Sequence, residues 1–320
     1  MGYPRRLTVP ADTRGIYHCV TRCVRRAYLC GVDERSGRSF EHRKRWIEHR
    51  IFELANVFSV AVHAYAVMSN HVHLVLEIDP ETPAAWSDGE VVRRWFTVFG
   101  RGGRRDDPPP PTIATGSADS ERISVLRRRL GSLSWFMRAL NEPIARRANR
   151  EDDCTGRFWE GRFKCQALLD DAALLACMTY VDLNPVRAKI EDSPCASLHT
   201  SARRRARKFA QGRRLEPLAS SIVAHVLDLS EAQYLHLLEW TGKHLYTTDK
   251  NDVPRHCPSV FDRLPLSPSQ WLVQVPATES NFWRVVGSAQ ALLEHAQRVS
   301  CRWVRGIGFA RYLLTLSESA

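Results

Sequence analysis

The sequence predicts an α+β protein in which helices cover a β-sheet and a mainly helical C-terminal part follows. Two segments rich in β-branched and aromatic residues, 58–67 and 71–78, flank the short connection MSN and are typical of neighbouring strands. Apolar residues recur at helical spacing in 38–58 and in 170–190. The strand-like segments indicate a sheet, and the segments with helical spacing indicate helices in the same chain.

The other elements of the N-terminal part follow the same two patterns. Residues 15–24 (GIYHCVTRCV) predict a strand because β-branched and aromatic residues dominate them. Helices are predicted at 89–100 and at 123–150, the second interrupted near Gly131. Residues 156–169 predict a turn followed by a strand.

The chain divides into two predicted domains, 1–195 and 196–320. Within the first, the proline-rich segment 101–121 predicts an exposed inserted loop, because it combines four consecutive prolines with paired charges. The second begins with a basic connector at 201–214. It continues as helices whose starts are marked by two sequences of capping-box form, SEAQ and SPSQ.

The composition favours a polyanionic partner. The net charge is +11, and nucleic acid is the commonest partner of so basic a protein, although charge that only maintains solubility gives the same composition. The nine cysteines include no CxxC pair, and their odd number and scatter argue against zinc ribbons and secreted disulfide frameworks. No segment reaches the length of a membrane span, so we expect a cytoplasmic protein with no membrane partner.

Two histidines, His71 and His73, interrupt the otherwise apolar segment 71–78. Alternate side chains of a strand share a face, so the two imidazoles project together, away from a core face. That core face consists of Val72, Leu74, Leu76 and Ile78. The spacing suits two ligands of one metal ion, although two partly exposed histidines on an open sheet face are the commoner cause of so short a motif.

The predicted helix 170–190 carries two polar residues that could complete such a site. Tyr180 and Asn184 are four residues apart and therefore share a helix face. A hydroxyl and an amide facing a metal-bearing sheet would supply a nucleophile and a ligand. A rim tyrosine and a helix C-cap are the structural alternatives. Because a residue before proline disfavours helical geometry, we expect Asn184 at the very end of the helix, stopped or kinked by Pro185.

Five segments occur in the order found in a known family. They are GIYHCVTR, HAYAVMSNHVHLVLE, WFMRALNEPIARRANR, GRFWEGRFK and YVDLNPVRA. This series resembles the signatures of the REP-associated tyrosine transposases, members of the HUH single-tyrosine transposase superfamily, over about residues 5 to 195. HUH denotes His, hydrophobic, His, here His71-Val72-His73. The resemblance implies an HUH endonuclease (ferredoxin-like) fold, with a central antiparallel sheet, helices mainly on one face and the HUH pair on a central strand.

The resemblance also implies a chemistry. In this family a tyrosine hydroxyl attacks a phosphodiester of single-stranded hairpin DNA, and a 5′-phosphotyrosine link forms until another strand religates it. The tyrosine falls at Tyr180, and the third metal ligand beside His71 and His73 falls at Asn184. A phenol with a pKa of about 10 is a weak nucleophile, so Mg²⁺ or Mn²⁺ would activate the phosphate. One tyrosine per chain would suit a homodimer, and a DNA substrate implies association with the nucleoid.

Basic and aromatic residues flank the proposed site in sequence and are candidate DNA contacts. They are Arg157, Trp159, Arg162, Lys164 and Arg187. The cations could bind phosphates. Trp159, with Phe158 and Phe163, could stack on unpaired bases, while core packing better explains at least one of these three rings.

Two alternatives to a DNA nicking and joining enzyme stay open. A non-catalytic nucleic-acid-binding protein of the same fold would use the basic segments 41–50 and 201–214, but the intact site residues disfavour it. A metal-dependent phosphodiesterase without a covalent intermediate would attack with a metal-bound water. That enzyme would survive replacement of Tyr180 by phenylalanine.

Overall fold

Six strands form one sheet in the computed structural model. The described residues are 8–10, 13–24, 29–33, 37–100, 117–208, 212–247, 256–280 and 284–316. The strands are β1 (Gly15–Arg22), β2 (Val60–Val67), β3 (His71–Ile78), β4 (Lys164–Leu168), β5 (Ala219–Ser220) and β6 (Val285–Val286). Their order in the sheet is β5-β2-β3-β1-β4-β6. All neighbours are antiparallel except β4 and β6, which are parallel.

Ten α-helices accompany the sheet in the described ranges. The first five are α1 (His42–Ala55), α2 (Asp88–Phe99), α3 (Ser117–Leu130), α4 (Leu133–Glu151) and α5 (Asp171–Arg187). The others are α6 (Ser201–Arg207), α7 (Glu231–Tyr246), α8 (Pro268–Ser280), α9 (Ala289–Arg298) and α10 (Ile307–Thr315). The α+β class is confirmed, and so is the break predicted near Gly131, which separates α3 from α4. No helix in the described ranges is both long enough and apolar enough to cross a membrane.

Both capping boxes predicted from the sequence begin helices. Ser230 caps α7 reciprocally with Gln233. At the start of α8, the backbone N–H of Gln270 donates to Ser267 Oγ at 3.3 Å, and the N–H of Ser267 donates to Gln270 Oε1 at 2.7 Å. These bonds satisfy N–H groups that the first turn leaves without helical partners.

Three sequence predictions about local structure need correction. The inserted loop predicted at 101–121 ends earlier, because 117–121 already belong to α3, where Asp119 suits the positive end of the helix dipole. Its residues 101–116 lie outside the described residues. The connector predicted at 201–214 contains helix α6, which Thr200 caps by accepting from the N–H of Arg203.

The third correction concerns the end of α5. The helix continues through Pro185 to Arg187, with its C-cap at Ala188, so Asn184 lies inside the last turn and not at the helix end. Proline removes only one backbone donor, and the following turn still closes through the bond from Ala188 N–H to Asn184 O at 2.9 Å. Asn184 therefore keeps the helical position that directs its side chain to the sheet.

Helices pack against both faces of the sheet. On one face, the apolar side of β3 joins α1 and α4 in a single core that includes Ile47, Phe136 and Leu140. A second core on the opposite face joins Val75 of β3 to α5, α7 and α8. Helices cover this second face because α5 lies on it and the C-terminal helices pack onto α5. The HUH strand β3 thus lies between two strands and two helical layers.

The predicted C-terminal domain contributes to the sheet and to the helix layer of the second face. Strand β5 extends the sheet beside β2, and β6 extends it beside β4. The buried carboxylate of Asp182 in α5 accepts from Tyr234 Oη of α7 at 2.6 Å and from the N–H of Ala202 of α6 at 2.9 Å. Asp182 therefore connects both helices to α5 by hydrogen bonds. The domain boundary at residue 195 stays a prediction.

Replacing Asp182 by alanine should lower the free energy of unfolding by about 3 kcal/mol, because several buried donors lose their acceptor at once. Urea denaturation followed by tryptophan fluorescence measures this change. Asp171→Ala is the matched control, since Asp171 lies in the first turn of the same helix but is exposed, and its ion pair is with His225, whose side chain is also exposed. An equal loss in both variants would contradict the role given to Asp182.

Candidate active site

The alternation of β3 places its two histidines on the face covered by α5. The four apolar side chains predicted for the core face belong to the core with α1 and α4, as expected. The rings of His71 and His73 lie with their centroids 4.7 Å apart on the other face. His73 is buried, at 4% exposed, and His71 is partly exposed at the start of the strand.

Helix α5 brings Tyr180 and Asn184 to this histidine pair. The ring centroid of Tyr180 lies 5.6 Å from that of His73 in an edge-on contact. Asn184 Nδ2 lies 3.4 Å from His73 Nε2, and it donates to the backbone oxygen of Tyr180 at 3.5 Å. The four candidate residues His71, His73, Tyr180 and Asn184 therefore occupy one site between β3 and α5.

Two further residues of this site were missed from the sequence. His18 Nε2 lies 2.9 Å from His73 Nδ1, and His18 Nδ1 lies 3.3 Å from Gln166 Oε1. His18 opposes Val75 and Val20 opposes His73, so the two histidines are diagonal neighbours on one face. The alternation in 15–24 could have shown that His18 shares a face with Val20 and Arg22, but not which strand lies beside it.

The environment keeps the histidines neutral. Burial lowers the pKa of His71 and of His18 to about 4 each, and it holds the pKa of His73 well below its usual value. The positive charges of Arg22 and Arg187 lower the pKa of both HUH histidines further. Neutral imidazole is the form that binds a metal ion.

The hydrogen bonds leave the same ring nitrogen available on both HUH histidines. Nδ1–H of His71 donates to Asn70 Oδ1, and Nδ1 of His73 faces His18. Nε2 of each ring can then carry a lone pair. Asn184 now turns Nδ2 to His73 and accepts from Arg187 through Oδ1. To present an oxygen ligand, its amide would have to turn over and give up the bond from Arg187.

Two neutral imidazoles and one amide oxygen fit a divalent cation that keeps open positions for water or phosphate. Among the described residues, no group of three or more histidine, cysteine, aspartate or glutamate side chains is suited to holding a metal ion. A metal at this site would therefore depend on the amide of Asn184 and on ligands from outside the protein.

Tyr180 is shielded in this conformation. Its side chain is 2% exposed, and burial raises the pKa of its hydroxyl, whereas the hydrogen bond with Asn184 and the charge of Arg187 lower that pKa. The rim position considered from the sequence is thus not observed. A substrate can reach the hydroxyl only if a neighbouring element moves.

Helix α8 reaches the same end of α5 through an ion pair. Arg187 Nη2 donates to Glu279 Oε1 of α8 at 3.2 Å and to Asn184 Oδ1 at 3.0 Å. The Arg187 guanidinium carbon also lies 5.8 Å from the centroid of the Tyr180 ring. Arg187 therefore lies at the site, but its charge is neutralised by the C-terminal part of the chain.

The other candidate DNA contacts lie near the start of β3. Arg157, Arg162 and Lys164 are exposed, and Trp159 is half-buried with its indole N–H donating to Asn141 O at 2.9 Å. The N–H of Glu160 donates to Arg22 O at 2.8 Å, which joins this segment to the end of β1 that opposes His71. Core packing accounts for Phe158 and Phe163, both buried.

No protein-family model matches the chain, and neither does any curated protein. A solved structure of a REP-associated tyrosine transposase bound to a REP hairpin is 13% identical with a TM-score of 0.39, over 72% of this chain and 96% of that one. A likeness at this TM-score carries no argument about function.

Proposed function

We propose that this protein is a metal-dependent transposase-type enzyme that nicks and joins single-stranded or hairpin DNA, with Tyr180 as the nucleophile. One observation carries the proposal: Tyr180 and Asn184 meet His73 across the interface of helix and sheet, although 111 residues separate Asn184 from His73. Burying several polar side chains together is costly unless they are satisfied or functional. The same residues match the positions implied by the family resemblance.

In the proposed reaction the Tyr180 hydroxyl loses its proton as its oxygen bonds to phosphorus, and the bond from phosphorus to the 3′ oxygen breaks. The 3′ oxygen takes up a proton and leaves, while the 5′ phosphate stays on Tyr180. A 3′-hydroxyl of another strand attacks that phosphotyrosine, so the phosphodiester is restored without ATP. His71, His73 and Asn184 would hold Mg²⁺ or Mn²⁺, which would draw electron density from the phosphate oxygens.

Positive side chains around the site suit a DNA strand. Arg187 would contact the phosphate after it separates from Glu279, and its charge favours the ionised phenol. The exposed Arg157, Arg162 and Lys164 would bind further phosphates by charge, and the half-buried Trp159 would stack on an unpaired base. We expect the strand to pass from this segment over the start of β3.

One observation favours the non-catalytic alternative, namely that Tyr180 is only 2% exposed. The protein would then bind nucleic acid and never open this site. Cleavage assays separate the two functions. Hairpin oligonucleotides from the DNA flanking the gene, labelled at the 5′ or the 3′ end, are incubated with protein and with Mn²⁺, Mg²⁺ or EDTA, and run on denaturing gels. We expect a metal-dependent adduct carrying only the 3′-labelled fragment, and binding without any product would contradict the proposal.

Replacing Glu279 by glutamine should strengthen binding to single-stranded DNA, because Arg187 loses its competing carboxylate. One additional phosphate contact should steepen the slope of log K against log salt concentration by about 0.7. Fluorescence anisotropy at several salt concentrations measures this slope. Glu294→Gln, an equal charge change at an exposed position of α9, is the matched control. The gain should vanish in the double variant Arg187→Gln/Glu279→Gln, and its persistence there would contradict the role of Arg187.

A further inference from the structure

His73 is hydrogen-bonded to His18, and His18 is hydrogen-bonded to Gln166. The proposed reaction leaves both of these buried polar residues without a role. Nδ1 of His73 lies 2.9 Å from Nε2 of His18, and Nδ1 of His18 lies 3.3 Å from Oε1 of Gln166. The exposed fractions are 0% for Gln166, 1% for His18 and 4% for His73. Neighbouring positions on this sheet face carry apolar side chains, such as Val75 and Leu168. Three buried polar side chains joined by hydrogen bonds among apolar neighbours therefore indicate that these bonds have a specific role.

The groups at the two ends of this series determine which nitrogen donates each hydrogen bond. The amide oxygen of Gln166 can only accept, so Nδ1–H of His18 donates to it. At the other end of the series, Asn184 Nδ2–H faces Nε2 of His73 at 3.4 Å, so Nε2 of His73 is an acceptor. Nδ1 of His73 must then carry the proton and donate to His18. The remaining lone pair of His73 lies on Nε2, the nitrogen that faces Asn184.

We propose that Gln166 and His18 are positioning residues that fix His73 in its Nδ1–H tautomer, so that Nε2 presents a lone pair to a divalent cation. The inference rests on the proposed metal site and adds to it the groups that orient one of its ligands. Hydrogen bonds to the second ring nitrogen commonly set both the tautomer and the ring orientation of a ligating histidine. Asn70 supplies the equivalent bond for His71 from the adjacent position of the chain.

Gln166→Leu tests this role because leucine has a similar size and no acceptor. The Mn²⁺ affinity, measured from the electron paramagnetic resonance signal of free Mn²⁺, should fall by about 10-fold. In metal-free protein, ¹⁵N NMR of the imidazoles should show His73 with its proton on Nδ1 in wild type and a mixture of tautomers in the variant. A His73→Gln variant assigns the signal. Cys165→Ala is the matched control, because Cys165 precedes Gln166 on β4 but packs on the opposite face.

Gln166→Glu provides the rescue. A carboxylate only accepts, so at about pH 8.5, above the ordinary histidine pKa of about 6.5, it should keep both the Nδ1–H tautomer and the Mn²⁺ affinity. A purely structural role would not distinguish glutamate from leucine in the tautomer signal. This comparison also decides the matter if the leucine variant folds poorly.

Two results would overturn the inference. One is a wild-type His73 that carries its proton on Nε2, and the other is an unchanged tautomer and Mn²⁺ affinity in Gln166→Leu. If wild-type protein binds no Mn²⁺ while His73 still shows the tautomer that depends on Gln166, the proposed metal site fails and the orienting hydrogen bonds stand. The failures of the two proposals are therefore distinguishable.

Discussion

Tyr180→Phe should abolish the covalent protein–DNA product, with a loss of at least about 1,000-fold in cleavage, because a variant without the proposed nucleophile keeps only binding. Phenylalanine preserves the ring that packs against His73 and His18. DNA affinity and Mn²⁺ affinity should therefore stay within about twofold of wild type, since neither depends on the hydroxyl. Denaturing gels with labelled hairpin DNA measure the adduct, and anisotropy measures binding.

Tyr17→Phe is the matched control for that experiment. Tyr17 and Tyr180 are each 2% exposed, but Tyr17 lies on β1 and packs in the core of the opposite sheet face. We expect this variant to form the adduct at the wild-type rate. Cleavage that survives in Tyr180→Phe without an adduct would instead indicate the phosphodiesterase alternative, in which water attacks the phosphate.

His73→Ala should remove both metal binding and cleavage. His73 contacts His18, Tyr180 and Asn184, so its loss removes a proposed ligand and also the contact that orders the amide of Asn184. We expect the Mn²⁺ affinity to fall by about 100-fold, which is the upper end of the loss seen when groups around a metal ion are removed. The adduct should become undetectable. Isothermal titration calorimetry measures the affinity.

The control for His73→Ala is His49→Ala, because His49 is exposed on α1, in the helical layer on the other side of the sheet. It should bind Mn²⁺ and cleave as wild type does. An His73→Ala protein that stays folded by circular dichroism and still forms a metal-dependent adduct would contradict the proposed ligand set.

The periodicity of single elements was sufficient to predict each of the two residue pairs that form the site. The alternation of 71–78 places His71 and His73 on one face of β3, and the four-residue spacing places Tyr180 and Asn184 on one face of α5. Both predictions depend only on the repeat of the element itself. The structure adds that the two faces meet, which the sequence implied only through the resemblance to a family.

The contacts of His18 could not be predicted from periodicity, because they depend on pairing between strands that are distant in the sequence. The contact of His18 with His73 depends on β1 lying beside β3, and the contact of His18 with Gln166 depends on β4 lying on the other side. Strands β5 and β6 have two residues each, too few for any repeat to mark them. The predicted position of Asn184 was wrong. A residue before proline disfavours helical geometry, but the packing of α5 between the sheet and helices α7 and α8 outweighs this local preference.

The site of covalent attachment tests the central proposal most directly. Wild-type protein is incubated with Mn²⁺ and hairpin DNA, digested with protease and nuclease, and the modified peptide is sequenced by tandem mass spectrometry. We expect a nucleotide joined through its 5′ phosphate to Tyr180, and no modified peptide in EDTA. A nucleotide on any other residue, or metal-dependent cleavage that leaves every peptide unmodified, would contradict the proposal.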